Sequence, residues 1–408
     1  MTTDFELRTC TADDWPQLAE LITGAFLSDV DDDMLDVYRL VNEPERTHVV
    51  TDAGRMVATG TVYTREMTVP GSVVPVAHVS GVAVAATHRR RGLLTQVMDA
   101  QLRAVRERGT ESLAALWASE GAIYGRFGYG TAAWHVSYQI ATTETTVPGQ
   151  TPAGRLRQAV PSDVLADLTQ VYDRARMDRP GLSGRPEGWW ERHIADPKSS
   201  RGGMSALRAV LYEADGRVDG YATFRTKGGW NDTGPVGEVR VSEVVAASAE
   251  AYSAVWRFLL NIDLARTVKY HFGAVDEPLP YLVTNPTGLG SSISPSLWVR
   301  IVDVPAALAA RRYTGPIDMV LDVSDPMLPA NARRWHLVGN GSAAKCVETD
   351  AAPHLSLDVR ELGAAYLAGT SLQSLADAGL VTEHQRGSLA AASTAFGWHR
   401  SPAAVEIF

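Results

Sequence analysis

Val82-Ala83-Val84-Ala85-Ala86-Thr87-His88-Arg89-Arg90-Arg91-Gly92-Leu93-Leu94 reads as a strand running into a basic, glycine-bearing turn that opens a helix. The first N–H groups of a helix lack an intrahelical partner and sit at the positive end of its dipole, so such a turn attracts a pyrophosphate. The three arginines add fixed charge, and Gly92, without a Cβ, lets an anion approach the main chain closely. Downstream, Leu94, Val97, Met98, Leu102 and Val105 fall on one helical face, and Gly109 suits a C-cap. The turn lacks both the glycine spacing of G-x-G-x-x-G and the Lys-Ser/Thr pair of a P-loop, so neither of those sites is read here.

Length and composition bound the rest. With 408 residues, 45% hydrophobic and 21% charged, the chain suits a globular protein of two or three domains with a sizeable core. Cys10 and Cys346 are far apart and outside any C-x-x-C pair, which supports neither a disulfide framework nor a thiolate metal site. The histidines show no H-x-x-x-H or H-E-x-x-H spacing, so no metal is expected. A net charge of -9 argues against a nucleic-acid partner and suits a cationic substrate. Asp29-Val30-Asp31-Asp32-Asp33 reads either as a solvated acidic loop or as a rim that attracts polyamines. No apolar run is long enough to span a bilayer and Met1 to Leu7 carries no signal-type core, so the expected location is the cytoplasm.

Three segments emerge along the chain. In residues 1–147 the order β-α-β-β-β-α-β-α-β predicts a mixed sheet with helices packed on it, closing with a strand near Trp134 to Ile140. Residues 148–294 repeat that grammar, but their strand-to-helix turn, Ala246-Ala247-Ser248-Ala249, has neither arginine nor glycine. The Gly/Ser/Pro-rich stretch Asn285 to Pro295 marks the second boundary. Residues 295–408 form a smaller α+β unit with strands at Leu297–Val302, Met319–Val323 and Leu355–Val359, and an apolar, docked ending, Val405 to Phe408.

The basic turn resembles the R-x-x-G-x-[GA] acetyl-CoA motif of the GNAT acetyltransferases, with Arg89, Arg91 and Gly92 in place and Leu94 where a small residue is usual. The chemistry this implies has three requirements: a neutral amine, a polarised thioester carbonyl, and a proton for the departing thiolate. Backbone at Val82 to Val84 can offer an N–H to the carbonyl, and Ser119 and Glu120, following the next strand, can line the cofactor or the amine. Tyr124, a phenol of ordinary pKa about 10, is a suitable acid toward a thiolate whose thiol lies near about 8.5.

The likeness becomes closer in Ser80-Gly81-Val82-Ala83-Val84, Thr87 to Leu94, Ile123-Tyr124-Gly125-Arg126-Phe127-Gly128-Tyr129-Gly130 and Val304-Pro305-Ala306-Ala307-Leu308, which resemble the Eis (enhanced intracellular survival) family of GNAT N-acetyltransferases over nearly the whole chain. The resemblance implies tandem GNAT domains, a sterol-carrier-protein-like C-terminal domain and a homohexamer. It further implies acetyl-CoA-dependent acetylation of aminoglycosides at more than one amine, and of some protein lysines. It implies cofactor contacts at Val82, Ala83, Val84, Arg89, Arg90, Arg91, Gly92, Leu93, Leu94, Thr95, Ser119 and Glu120, the Tyr124 hydroxyl as general acid, and the free carboxylate of Phe408 as general base. A chain terminus suits that duty, since an α-carboxylate is ionised at neutral pH. Asp29, Trp190 and Glu406 are the implied acceptor contacts. Two family features are displaced: the aromatic before the Val-Ala-Val strand is Gly81, and Ser28 and Asp29 compete for the pocket acid.

The reading is thus an α/β N-acetyltransferase using acetyl-CoA and no metal, with direct attack by the amine. Neither cysteine lies in a cofactor motif, which argues against an acyl-cysteine. Two alternatives remain: a different acceptor, protein lysines or small alkyl amines, and a non-catalytic scaffold binding an amphiphile.

Overall fold

The computed structural model describes residues 5–149 and 153–408. The chain opens with β1 (Glu6–Thr9), α1 (Trp15–Ala25), α2 (Asp32–Arg39), β2 (His48–Asp52), β3 (Arg55–Val69), β4 (Ser72–Val84), α3 (Leu93–Arg108), β5 (Leu113–Trp117), α4 (Gly121–Tyr124), β6 (Gly130–Thr131) and β7 (Trp134–Ala141). It continues through β8 (Arg155–Ala159), α5 (Leu165–Arg176), α6 (Trp189–Ile194), β9 (Arg208–Ala214), β10 (Arg217–Lys227), the short hairpin β11 (Trp230–Asn231) and β12 (Gly234–Pro235), β13 (Gly237–Ala246), α7 (Ala249–Leu260), β14 (Ala265–Gly273), α8 (Leu279–Leu282) and β15 (Ser292–Pro295). The last third holds β16 (Leu297–Ile301), α9 (Val304–Ala310), β17 (Ile317–Ser324), β18 (Arg334–Gly339), β19 (Ala344–Glu348), β20 (Leu355–Asp358), α10 (Val359–Tyr366), α11 (Leu372–Asp377), β21 (Val381–Glu383) and α12 (Ser388–Phe396).

Three main sheets result, ordered β1-β2-β3-β4-β5-β16-β6, β15-β7-β14-β13-β10-β9-β8 and β19-β18-β17-β20-β21. They fall into two units: Met1–Ala133, Ser296–His399 and Ile407–Phe408 form the first, Trp134–Pro295 and Arg400–Glu406 the second. Strand exchange explains the interleaving. The strand expected to close the first sheet, Trp134 to Ile140, instead pairs with β14 and β15 in the second. Its place is taken by β16, antiparallel to β5 from Leu297↔Trp117 to Ile301↔Leu113, where Leu297, Val299 and Ile301 have no exposed surface. The Gly/Ser/Pro-rich boundary segment supplies β15, whose Pro295 is tolerated on a sheet edge.

Of the acidic run read as a solvated loop or a polyamine-attracting rim, Asp29 to Asp31 lie in the connecting segment and Asp32 and Asp33 begin α2. Asp31 accepts from the Met34 N–H as the N-cap of α2, and Asp32 and Asp33 occupy the first turn, where the helix dipole favours negative charge. In the first unit α3 presents Leu93, Val97, Met98, Leu102 and Val105 to the sheet; in the second, α7 does so with Ala254, Val255, Trp256 and Leu259. Each helix thereby removes a whole apolar stripe from water.

Two departures from regular pairing shape the site. Parallel pairing of β4 with β5 is confined to Ala77↔Ala114 and His78↔Ala115, so beyond His78 the two strands separate. Between Thr59↔Ala83 and Thr61↔Ser80 the register shifts: Gly81 and Val82 together oppose Gly60, a bulge in which Gly81 adopts φ +56°.

Candidate active site

The arginine turn lies where β4 leaves the sheet. Arg90 takes φ +63°, Gly92 follows at φ +81° as the N-cap of α3, and Gly109 closes that helix at φ +69°. A Cβ on Gly92 would meet no atom within 4 Å, so the space over the helix start is open. Arg89, Arg90 and Arg91 are exposed, and among the described residues none of their guanidiniums has an ion-pair or hydrogen-bond partner. His88 braces the turn instead, with Nε2 3.1 Å from Asp52 and Nδ1 2.8 Å from the Thr87 hydroxyl. Free guanidiniums, unshared N–H groups at Leu93, Leu94 and Thr95, and an open glycine make a cradle for a polyphosphate. Beside it, where β4 and β5 diverge, Val82, Ala83 and Val84 have no pairing with β5.

Ser119 and Glu120 follow β5 and are exposed, and α4 then carries Tyr124. Tyr124 is buried among Met98, Leu102, Phe127 and Tyr129, its ring edge-on to Tyr129 at 6.1 Å. Burial raises its phenol pKa above the ordinary value and the Glu120 charge adds to this, while a bond from Ser119 acts in the opposite direction. Tyr124 therefore keeps its proton at neutral pH, as a proton donor must.

Phe408, the last residue, is docked on β4. Its O accepts from the Ser80 hydroxyl at 2.6 Å, and its ring sits edge-on to His78 with centroids 4.6 Å apart. His78 has no exposed surface, and its Nδ1 lies 2.9 Å from the Val76 carbonyl oxygen. Ser80 and His78 had no role in the sequence reading; no motif links a strand residue to a partner 328 positions away. The arginine turn, the Val82–Val84 strand, Tyr124 and Phe408 all belong to the first unit, with Phe408 seated on the strand that runs into the arginine turn.

The three acceptor candidates are placed differently. Asp29 is exposed on the segment joining α1 and α2, beside the exposed apolar side chains of Phe26, Leu27 and Val30. Trp190 and Glu406 belong to the second unit and are buried. Trp190 is edge-on to Tyr172 at 5.6 Å, and Glu406 accepts from Arg185 Nε at 2.9 Å. The second unit also has an open pocket of about 810 Å³ at the end of β13 and the start of α7, with Val244, Ala247, Tyr252, Tyr270 and Phe272 in its walls. Its strand-to-helix turn has Ser248 as N-cap, bonded to the Ala251 N–H, in place of an arginine-glycine pair. Among the described residues no group of three His, Cys, Asp or Glu side chains is arranged to hold a metal, and no helix is long and apolar enough to cross a membrane.

Comparison with known proteins agrees with this architecture. Residues 6–132 and residues 181–301 each match an acetyltransferase (GNAT) domain, and residues 304–405 match a sterol carrier protein domain. An uncharacterized N-acetyltransferase of Streptomyces avermitilis is 41% identical over 401 residues, 97% of each chain. N-acetyltransferase Eis of Mycobacterium tuberculosis is 35% identical over 383 residues, 90% of each chain. The crystal structure of Eis1 from Mycobacterium abscessus superposes with a TM-score of 0.83 at 31% identity, covering 99% of this chain and all of that one.

Proposed function

Since the chain belongs to the Eis family of GNAT N-acetyltransferases, and so is an enzyme that acetylates amines, we propose that its acceptors are the amino groups of aminoglycosides or similar polycations, acetylated at more than one position. GNAT enzymes use acetyl-CoA, which supplies the acetyl group as a thioester. In this reading Arg89, Arg90, Arg91 and the N–H groups from Gly92 to Thr95 hold its phosphates. The Val82–Val84 backbone, with Ser119 and Glu120, lines the arm. A strand N–H polarises the thioester carbonyl; the Phe408 carboxylate takes one proton from the ammonium, directly or through water; the neutral nitrogen then bonds to the carbonyl carbon as the C–S bond breaks, Tyr124 gives its proton to the departing sulfur, and the second nitrogen proton, lost as the amide forms, restores the phenol through water. Asp29, Trp190 and Glu406 are its acceptor-side residues.

The observation that carries this reading is the seat of Phe408 on the strand that runs into the arginine turn, with an oxygen held by Ser80. Support for a cationic acceptor comes from the acidic, partly apolar surface of Phe26 to Asp36 on a chain of net charge -9. A homohexamer and a cytoplasmic location complete the proposal; light scattering on the eluted protein tests the first and cell fractionation the second.

The test of function is thiol release from acetyl-CoA with an aminoglycoside panel, a lysine-bearing peptide and a simple alkylamine. The aminoglycosides should turn over fastest, and mass spectrometry should find more than one acetyl group per molecule. Faster turnover of the peptide or the alkylamine would move the acceptor to that class. No thiol release with any amine would favour the scaffold reading.

A further inference from the structure

The pocket at the end of β13 is lined only by residues of the second unit. It opens because β13 and β14 pair in parallel only from Gly237↔Ala265 to Val241↔Tyr270. Past that point the strands part, and Val244 to Ala246 on one side and Phe272 and Ala274 on the other line the gap. In the first unit β4 parts from β5 in the same way on its approach to the arginine turn. Five aromatic side chains line the space, Tyr172, Tyr252, Tyr270, Phe272 and Tyr281, and its volume of about 810 Å³ is within the range of small-molecule sites.

Four arginines share the lining. Arg179 pairs with Asp276 at 2.5 Å and Arg400 with Asp178 at 3.1 Å. Arg174 and Arg217, by contrast, share one carboxylate: Asp219 Oδ1 lies 3.4 Å from Nη2 of the first and 2.8 Å from Nε of the second. Arg174 Nη2 also donates to the Val218 carbonyl at 2.6 Å, while its Nε is buried with no partner among the described residues. A buried donor left unmet is costly, so this one calls for a reason. The Ala247 N–H donates to the Asp219 carbonyl at 2.7 Å, which places the unbalanced pair at the start of α7. There the Ser248 side chain meets only the Ala251 N–H, and those of Ala249 and Glu250 stay open at the positive end of the helix dipole. Glu277 also faces the pocket, but its two oxygens are taken by the Tyr252 hydroxyl and the Ala274 N–H.

The anion that suits this end is a small one. CoA carries a pyrophosphate and a third phosphate, for which the first unit offers three exposed arginines and a glycine at φ +81°. Here the turn Ala246-Ala247-Ser248-Ala249 has no glycine, and the Arg174–Arg217–Asp219 group has one positive charge in excess. One such charge beside a helix start matches a single carboxylate, whose oxygens a guanidinium can hold in parallel. The walls match a flat ring, stacked or edge-on. We propose that the second unit binds an aromatic monocarboxylate, with its carboxylate on Arg174 and Arg217 at the start of α7 and its ring among Tyr172, Tyr252, Tyr270 and Phe272. The second acetyltransferase-type domain is then a ligand-binding domain that has exchanged a polyphosphate cradle for a single-anion site.

The experiment is isothermal titration calorimetry of the full chain with 2-naphthylacetate, its neutral amide and decanoate, repeated on Arg174→Gln and Ala247→Trp once circular dichroism has shown them folded. Wild type should bind one naphthylacetate per chain. Arg174→Gln should weaken that binding at least tenfold, and so should Ala247→Trp, whose indole would occupy the exposed mouth of the pocket. The amide and decanoate should each bind at least tenfold more weakly than naphthylacetate. Should either variant fail to fold, Arg217→Gln, at a largely exposed side chain, reads the same loss. A wild type that binds no naphthylacetate overturns the inference. Binding that none of the variants weakens also overturns it, because the ligand then sits elsewhere on the chain. An amide that binds as well as the acid removes the anion site, and decanoate binding tighter than naphthylacetate removes the aromatic one. A second CoA bound per chain by wild type and lost in Arg174→Gln would assign the pocket to a polyphosphate cofactor, again overturning the proposal. Each outcome is independent of which amine the first unit acetylates.

Discussion

Gly92 enters α3 at φ +81°, with open space where a Cβ would go, so an alanine there meets backbone strain and no steric clash with the protein. That strain amounts to about 1–2 kcal/mol. Gly92→Ala should therefore melt only a few degrees lower while its KM for acetyl-CoA rises severalfold, because the new methyl projects into the space over the helix start; thermal melts and saturation kinetics check both. Tyr124→Phe should keep acetyl-CoA affinity by calorimetry yet lose about 10²–10⁴-fold in kcat, the usual worth of a positioned proton donor. Burial pushes the thiols of Cys10 and Cys346 up to about 12, so neither forms a useful amount of thiolate at pH 8. A Cys10→Ser, Cys346→Ser double variant should keep wild-type kcat, and an acetylated enzyme intermediate should be missing from its mass spectrum.

At the scale of elements, α10 is docked so closely that two glycines are required. A Cβ on Gly130 of β6 would fall 2.0 Å from the Arg360 carbonyl oxygen and 2.5 Å from the Ala364 nitrogen; one on Gly363 would fall 2.4 Å from the Val299 carbonyl oxygen. All three obstacles are backbone, so Gly130→Ala should cost at least about 2 kcal/mol or prevent folding, as denaturant titration will show. Elements defined by local chemistry were legible in the sequence: the arginine turn and α3 with its Gly109 cap. Elements defined by pairing were not. The Trp134–Ala141 strand alternates as a strand should, but nothing local says which sheet it joins, and β16 reads equally well as the start of a third domain. The edge pair β18 and β19 was missed because its exposed residues blur the alternation. The same divide runs through the site. Tyr124 and the arginines were visible as motifs, whereas Ser80 acquires meaning only through a partner 328 positions away.

For the whole molecule, the titrating groups with depressed folded-state values make acid the weak side. Burial lowers the pKa of His48 and of His135, the latter with a further contribution from His271, so the unfolded chain binds protons that the native state refuses. Stability is then full above the unfolded value of about 6.5 and declines as pH falls through it toward the folded values. Burial would raise the carboxyl of Glu243, but Arg185 and His193 outweigh it and hold that group low, which adds a further loss below about pH 4.3. Glu277, raised by burial, opposes this trend. The melting temperature should drop between pH 7 and pH 5, and His48→Gln should shrink that drop. The central claim concerns the end of the chain, where an oxygen of Phe408 sits on the Ser80 hydroxyl. Its most direct test is kcat for a protein extended by a few residues beyond Phe408, measured beside wild type with saturating acetyl-CoA and an aminoglycoside. The account predicts a folded protein that binds acetyl-CoA normally and turns over at least a hundredfold more slowly; an extended protein with wild-type kcat contradicts it.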